Sequence, residues 1–139
     1  MKKYLILLLL FSSNAYAEKF PIAIFNCKGA KDSKGHFFFS PSGTQIQVAK
    51  ENNQILMNVS PFLIPLKKLN AEELQGTKTF RGTNVSMKFN NKNYSGVFKI
   101  KDPGRKELTF QFKCEFLHMH PSDITLTELN KREQSFLRK

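Results

Sequence analysis

Four lysines occupy polar positions of neighbouring segments in the second half of the chain, Lys88, Lys99, Lys101 and Lys113, and Arg105 flanks them in a turn. If these segments are adjacent strands, alternation directs the lysines to one side of a sheet. Ammonium and guanidinium groups gathered there attract phosphate, sulfate and carboxylate groups. The pattern therefore predicts an anion-binding face. Lysine is also common at the solvent-facing positions of any strand, and the residue types alone do not decide between these two interpretations.

The two cysteines of the chain, Cys27 and Cys114, lie in apolar segments far apart in the sequence. No Cys-x-x-Cys motif is present, which argues against a redox role. A pair of cysteines in an exported chain is typical of one structural disulfide. The sequence therefore predicts a Cys27–Cys114 bond that ties the first strand to the last and closes most of the chain into one loop.

Three histidines are the remaining candidates for chemistry: His36, His118 and His120. On a strand, His118 and His120 would project from one face at a spacing usable for a metal ion. The spacing supplies no defined third ligand, so we expect two exposed histidines, no metal site and no cofactor. A histidine acting with a lysine would be the basis of a small hydrolase. Because there is no Gly-x-Ser-x-Gly motif and the cysteines are committed to a bridge, we predict a protein that is not an enzyme.

Residues 1–17 have the pattern of a secretory signal peptide. Lys2 and Lys3 precede an apolar run, and an Ala-x-Ala cleavage pattern ends at Ala17. Removing these 17 of 139 residues leaves 122, which suits one domain with one core. We expect the mature protein in the periplasm or outside a bacterial cell, without a transmembrane segment.

The mature chain is strongly basic. Removing Lys2 and Lys3 from 22 basic side chains leaves 20 against 11 acidic ones, a net charge of +9. Such an excess favours an anionic glycan, a lipid head group or an acidic protein as partner. Nucleic acid is disfavoured, because the aromatic residues fall on the apolar faces of the predicted strands and stacking needs exposed rings.

Short segments of alternating polarity, separated by turn signals, fill residues 18–117. The clearest is Leu108–Phe116, and another pair predicts a hairpin with Val48 opposite Ile55. The pattern predicts an all-β fold of seven to eight antiparallel strands, arranged as one small barrel or sandwich. A disulfide between the first and last strands favours a closed or nearly closed barrel, because those strands would otherwise be exposed edges.

Two further hairpins follow from matching apolar faces across turns. A three-residue loop after Asp102 places Phe98 opposite Phe110. The asparagine-rich turn before it places Phe89 opposite Tyr94.

The end of the chain has a different pattern. Residues 118–139 are expected to leave the last strand and form a tail. Thr125 followed three residues later by Glu128 resembles a capping box, and Leu126 and Leu129 begin a thin apolar stripe. The tail is therefore predicted to contain a short helix.

Phe37, Phe38 and Phe39 are consecutive, and three successive side chains cannot share one face of a strand. One of them would then face outward as a contact site. The favoured alternative is burial of the rings beneath the proline-containing segment Pro61–Leu69.

The placement of Cys27 and Cys114 is similar to that in small periplasmic lysozyme inhibitors, which are exported β-barrels with strand-tying disulfides. Tyr94-Ser95-Gly96 supplies a Ser-Gly pair, but the residues that follow do not continue the motif of those proteins. The sequence is therefore assigned to no family.

Together these features favour an exported, non-catalytic binding protein that recognises an anionic envelope component or an acidic protein surface. Inhibition of an enzyme would be one form of such binding. The alternative is a small carrier with an apolar ligand in the barrel cavity, although 14 phenylalanines suggest a filled interior. A secreted hydrolase that uses histidine is the third hypothesis.

Overall fold

A computed structural model describes residues 19–29 and 38–137. The predicted signal peptide and His36 lie outside these residues. The described chain forms eight strands and one helix: β1 (Phe20–Gly29), β2 (Thr44–Glu51), β3 (Gln54–Val59), β4 (Phe62–Lys68), β5 (Glu73–Phe80), β6 (Thr83–Asn90), β7 (Ser95–Lys101), β8 (Leu108–Ser122) and α1 (Leu126–Leu137). Within the described ranges, no helix has the length and apolar character needed to cross a membrane.

The strands form one closed antiparallel barrel, in which each pairs with the next and β8 pairs with β1. Cys27 and Cys114 lie opposite each other in the β1–β8 ladder and are joined by a disulfide across 87 positions of the sequence. The predicted all-β fold and the tie between the first and last strands are confirmed. The choice between barrel and sandwich is settled in favour of the barrel.

Aromatic rings fill the interior of the barrel. Alternation turns Phe89, Phe98, Phe110 and Phe112 inward, and all four are buried. The Phe98 side chain is fully buried, and its ring centroid lies 6.2 Å from that of Phe62 across the barrel. The core is therefore held largely by edge-to-face and tilted ring contacts, which add to the free energy of apolar burial.

The segment before β2 adds two more rings to this core. The Phe38 ring lies 4.5 Å from that of Phe98, and the Phe39 ring lies 4.5 Å from that of Phe112. This approach requires a glycine in β1, because a Cβ at Gly29 would lie 2.6 Å from the Phe39 carbonyl oxygen. Phe39 is buried and Phe38 packs half-buried against the core, so burial is confirmed for these two rings, with ring contacts to β7 and β8. Phe37 lies outside the described residues.

The register of the β7–β8 hairpin is confirmed, with Phe98 opposite Phe110. The predicted register of the β2–β3 hairpin is wrong by two residues, since Val48 lies opposite Met57 and not Ile55. Its turn is centred one residue later than expected. Asn52 and Asn53 both have positive φ there, as two-residue turns of this kind require.

The predicted register of the β6–β7 hairpin is also wrong by two residues, because Phe89 lies opposite Gly96. Tyr94 belongs to the turn: its φ is 60° and its backbone N–H donates to the carbonyl oxygen of Asn90 at 2.8 Å. A shift of two positions preserves the side of the sheet to which each residue points. The inward rows are therefore as predicted.

Strand β8 is longer than the sequence suggests, continuing past Phe116 to Ser122. The β1–β8 ladder shifts by one residue where Phe25 pairs with Phe116 and Ile24 with His118. This bulge reverses the alternation. The residues from position 118 therefore begin as strand, and the expectation that they leave it is wrong.

Helix α1 is confirmed, and Thr125 caps it by accepting the Glu128 backbone N–H at 3.2 Å. A second cap comes from the end of β2, where a Glu51 carboxylate oxygen accepts the backbone N–H groups of Leu126 at 2.6 Å and Thr127 at 3.2 Å. The cap anchors the helix on the outside of the barrel.

Beneath the helix lies a small outer core separate from the barrel interior. Leu126 packs there against outward residues of β1, β2 and β3, namely Ile22, Ile24, Ala49 and Leu56. A buried amide pair extends the contact, since Asn130 Nδ2 donates to Asn58 Oδ1 at 2.9 Å.

Replacing Glu51 by alanine is expected to lower the free energy of unfolding by about 1–2 kcal/mol, because the helix loses a charged cap at its N-terminus. Urea denaturation followed by circular dichroism measures this loss. The matched control is Glu115→Ala, which removes an exposed carboxylate from β8. An equal loss in both variants would show that the cap contributes nothing specific.

Candidate functional site

The outer wall of β6, β7 and β8 carries three of the predicted lysines. Lys88, Lys99 and Lys113 are all exposed, each on a different strand. Lys88 is opposite Val97 and Lys99 is opposite Thr109, which are outward positions of the neighbouring strands. The structure therefore places these three ammonium groups on one continuous surface.

The other two predicted residues lie at the β7–β8 loop. The Lys101 ammonium donates to the backbone carbonyl oxygens of Asp102, at 3.1 Å, and of Arg105. This side chain is half-buried and stabilises the loop in place of projecting from the wall. Arg105 is exposed in the loop itself.

A fourth cation of the wall, Lys28, does not appear among the predicted residues. It lies on β1 directly opposite Lys113, one ladder position from the Cys27–Cys114 pair. Both lysines are exposed, and no acidic side chain in the described ranges forms an ion pair with either. The sequence contained the information needed to predict this pair. If Cys27 and Cys114 lie directly opposite each other, the residues next to them, Lys28 and Lys113, must also lie opposite each other.

We call Lys28, Lys88, Lys99 and Lys113 the lysine wall. Part of its charge is offset where Lys88 Nζ lies 3.6 Å from a carboxylate oxygen of Glu73. That pair is exposed to water, so it contributes little to stability and leaves the lysine available for exchange with another anion. The uncompensated charge of the wall is concentrated on the other three lysines.

Two shallow depressions lie on this side of the barrel. One of about 280 Å³ is lined by residues that include Lys88, Ser95 and Gln111. The other, about 270 Å³, includes Lys99 and Glu107. Each combines at least one cation with hydroxyl or amide groups, which can hydrogen-bond to a ligand. Each also has one carboxylate in its lining, Glu73 in the first and Glu107 in the second.

His118 and His120 are exposed on the outside of β8, with ring centroids 6.5 Å apart and planes at 83°. Nearby, Asp123 accepts a hydrogen bond from Lys19, which lowers the pKa of that carboxyl below its usual value. In the part of the chain that the structure describes, no three histidine, cysteine or acidic side chains are grouped to hold a metal ion.

Comparison of the chain with protein-family models, with curated proteins and with solved structures finds no match. Its function is therefore inferred from its own residues.

Proposed function

We propose that this protein binds an anionic partner through the lysine wall, without catalysis, in the periplasm or outside a bacterial cell. The observation that carries the proposal is the direct opposition of Lys28 and Lys113 with no described acidic partner. Like charges directly opposite on neighbouring strands destabilise a sheet. An anion placed between them replaces repulsion by two charge-assisted hydrogen bonds.

The neighbouring disulfide makes this arrangement persistent. Cys27 and Cys114 hold β1 and β8 in register, so the ladder cannot slip to separate the two lysines. The two lysine Cα positions are thus fixed before a ligand binds, so binding needs to order only the side chains.

The same disulfide supports the proposed compartment. Disulfides form and persist in oxidising surroundings such as the periplasm and the exterior. The N-terminal pattern of basic, apolar and small residues is of the kind that directs a chain there.

No specific observation favours the two other hypotheses. A carrier needs a cavity, whereas the interior holds the rings of Phe38, Phe39 and Phe98 in mutual contact. A hydrolase needs a base directed by a second group, whereas the two histidines that the structure describes, His118 and His120, are exposed on the outside of β8.

Heparin chromatography tests the proposal. We expect the wild-type chain to be retained at low salt, and the Lys28→Glu/Lys113→Glu variant to elute at much lower salt because two contacts to the polyanion become repulsive. In direct titration the affinity should fall at least about tenfold, since charge-assisted hydrogen bonds are worth about 1.5–3 kcal/mol each.

The matched control is Lys67→Glu/Lys131→Glu, which changes the net charge equally at exposed positions of β4 and α1. It should retain most of the binding. Equal losses in both variants would assign retention to net charge alone, and absence of retention of the wild type would refute the proposal.

A further inference from the structure

We infer that the ligand of the lysine wall is an extended acidic polysaccharide that crosses several strands, and not a compact anion. This inference rests on the proposed anion binding and adds the chemical class and length of the ligand. It is carried by the spacing of the four lysines and by the uncharged side chains between them.

The spacing follows from the ladder registers. Lys99 lies opposite Thr109, four residues before Lys113 on β8. With about 3.3 Å per residue along a strand and about 4.8 Å between strands, the two lysine Cα atoms lie about 14 Å apart. Lys88 lies opposite Val97, which lies opposite Gln111 on β8, two residues before Lys113. Two strand spacings and two residues along the strand give about 12 Å between the Cα atoms of Lys88 and Lys113.

A compact anion does not span these distances. Side chains on a strand stand roughly perpendicular to the sheet, so the ammonium groups begin at similar separations. Each nitrogen must lie about 2.8 Å from an anionic oxygen. One phosphate or sulfate therefore serves Lys28 and Lys113, which are direct neighbours, and leaves Lys88 and Lys99 for further anionic groups on the same molecule.

The protein surface between the lysines is suited to hydrogen bonding with sugar hydroxyls. Apart from Val97 on β7, the outward positions there are occupied by Thr109 and Gln111 on β8, Ser86 on β6 and Ser95 on β7. Their hydroxyl and amide groups both donate and accept hydrogen bonds, as sugar hydroxyls do. An acidic polysaccharide carries anionic groups with hydroxyls between them. The wall carries lysines with hydroxyl and amide side chains between them, so the two patterns match.

The wall does not suit a membrane or a protein. An interfacial protein inserts apolar side chains beside its charges. Of the exposed large apolar residues of the described chain, Leu69 lies outside the wall strands. Phe20 on β1 and Leu117 on β8 lie eight and four residues along their strands from Lys28 and Lys113, so neither adjoins the lysines. A protein partner buries several apolar and aromatic side chains at the centre of its footprint, where this surface presents Ser95, Gln111 and one half-buried valine, Val97.

Calorimetric titration with sulfated disaccharide, tetrasaccharide and octasaccharide tests the inference, with inorganic phosphate and anionic lipid vesicles as further probes. We expect affinity to rise with length, by about 100-fold from disaccharide to octasaccharide, because later contacts become intramolecular. Lys99→Gln should weaken the octasaccharide and leave the disaccharide unchanged. Lys113→Gln should weaken both, and the control Lys67→Gln neither.

Equal affinity for all lengths would overturn the inference and leave the proposed function standing, because a compact anion would then be the ligand. Tighter binding to vesicles than to the octasaccharide would overturn it in favour of a lipid surface. Failure of every anion to bind would refute the proposed function itself.

Discussion

Replacing Cys27 and Cys114 together by alanine is expected to lower the free energy of unfolding by about 4–5 kcal/mol. The bond closes a loop of 87 positions, and in the chain-entropy model its loss returns that much freedom to the unfolded chain. Both side chains are almost fully buried, so the substitution also removes apolar packing. For a single small domain this is a large share of the total stability.

Urea denaturation of the wild type in oxidising and in reducing buffer provides an independent measurement of the same quantity. Both the double variant and the reduced wild type should unfold at a similarly lowered urea concentration. The β1–β8 ladder runs from Phe20 to Gly29 and remains available to close the barrel. A loss below about 1 kcal/mol would show that this ladder alone suffices.

Phe98→Ala is the second large effect, with an expected loss of about 3–5 kcal/mol. The ring is fully buried among those of Phe38, Phe39 and Phe62, which converge on it from two separate segments, the one before β2 and strand β4. Removing it leaves a cavity that a closed barrel cannot collapse, because the surrounding strands are fixed by their ladders.

The matched control is Phe20→Ala, in which the original side chain is 40% exposed at the start of β1. Its loss should stay below about 2 kcal/mol, because 40% of the side chain already contacts water. The losses for Phe98→Ala and Phe20→Ala are measured by thermal and urea unfolding. Equal losses for the two variants would mean that the Phe98 site repacks, contrary to a tightly filled core.

Most of the fold was predictable because alternation is a local property. The inward residues of β6, β7 and β8 follow from period two alone, and the disulfide follows from two cysteines in a chain that begins with the pattern of a signal peptide. The Phe98–Phe110 register followed as well, because the turn at Pro103 and Gly104 is strongly specified and only one loop length matched the apolar faces.

Two hairpin registers and the end of β8 were not predictable for a related reason. A shift of two residues keeps every side chain on its face, so the pattern cannot separate Met57 from Ile55 as the partner of Val48. A bulge near Phe116 interrupts the alternation and resembles the end of a strand.

The candidate site was partly accessible to the same reasoning. The outward positions of Lys88, Lys99 and Lys113 follow from alternation. The contacts of Lys101 with the loop backbone and of Glu73 with the wall depend on tertiary geometry, which a pattern does not contain. The position of Lys28 could have been predicted by extending the Cys27–Cys114 pairing by one residue to Lys28 and Lys113.

The position of the disulfide beside the Lys28–Lys113 pair has a thermodynamic consequence. If the bond keeps the two ammonium groups together, its reduction weakens anion binding by some factor. Coupling between two equilibria is reciprocal, so a bound anion must oppose reduction of the bond by the same factor. Ligand occupancy and thiol oxidation then form one linked equilibrium, in which the protein is most resistant to reductant when its wall is occupied.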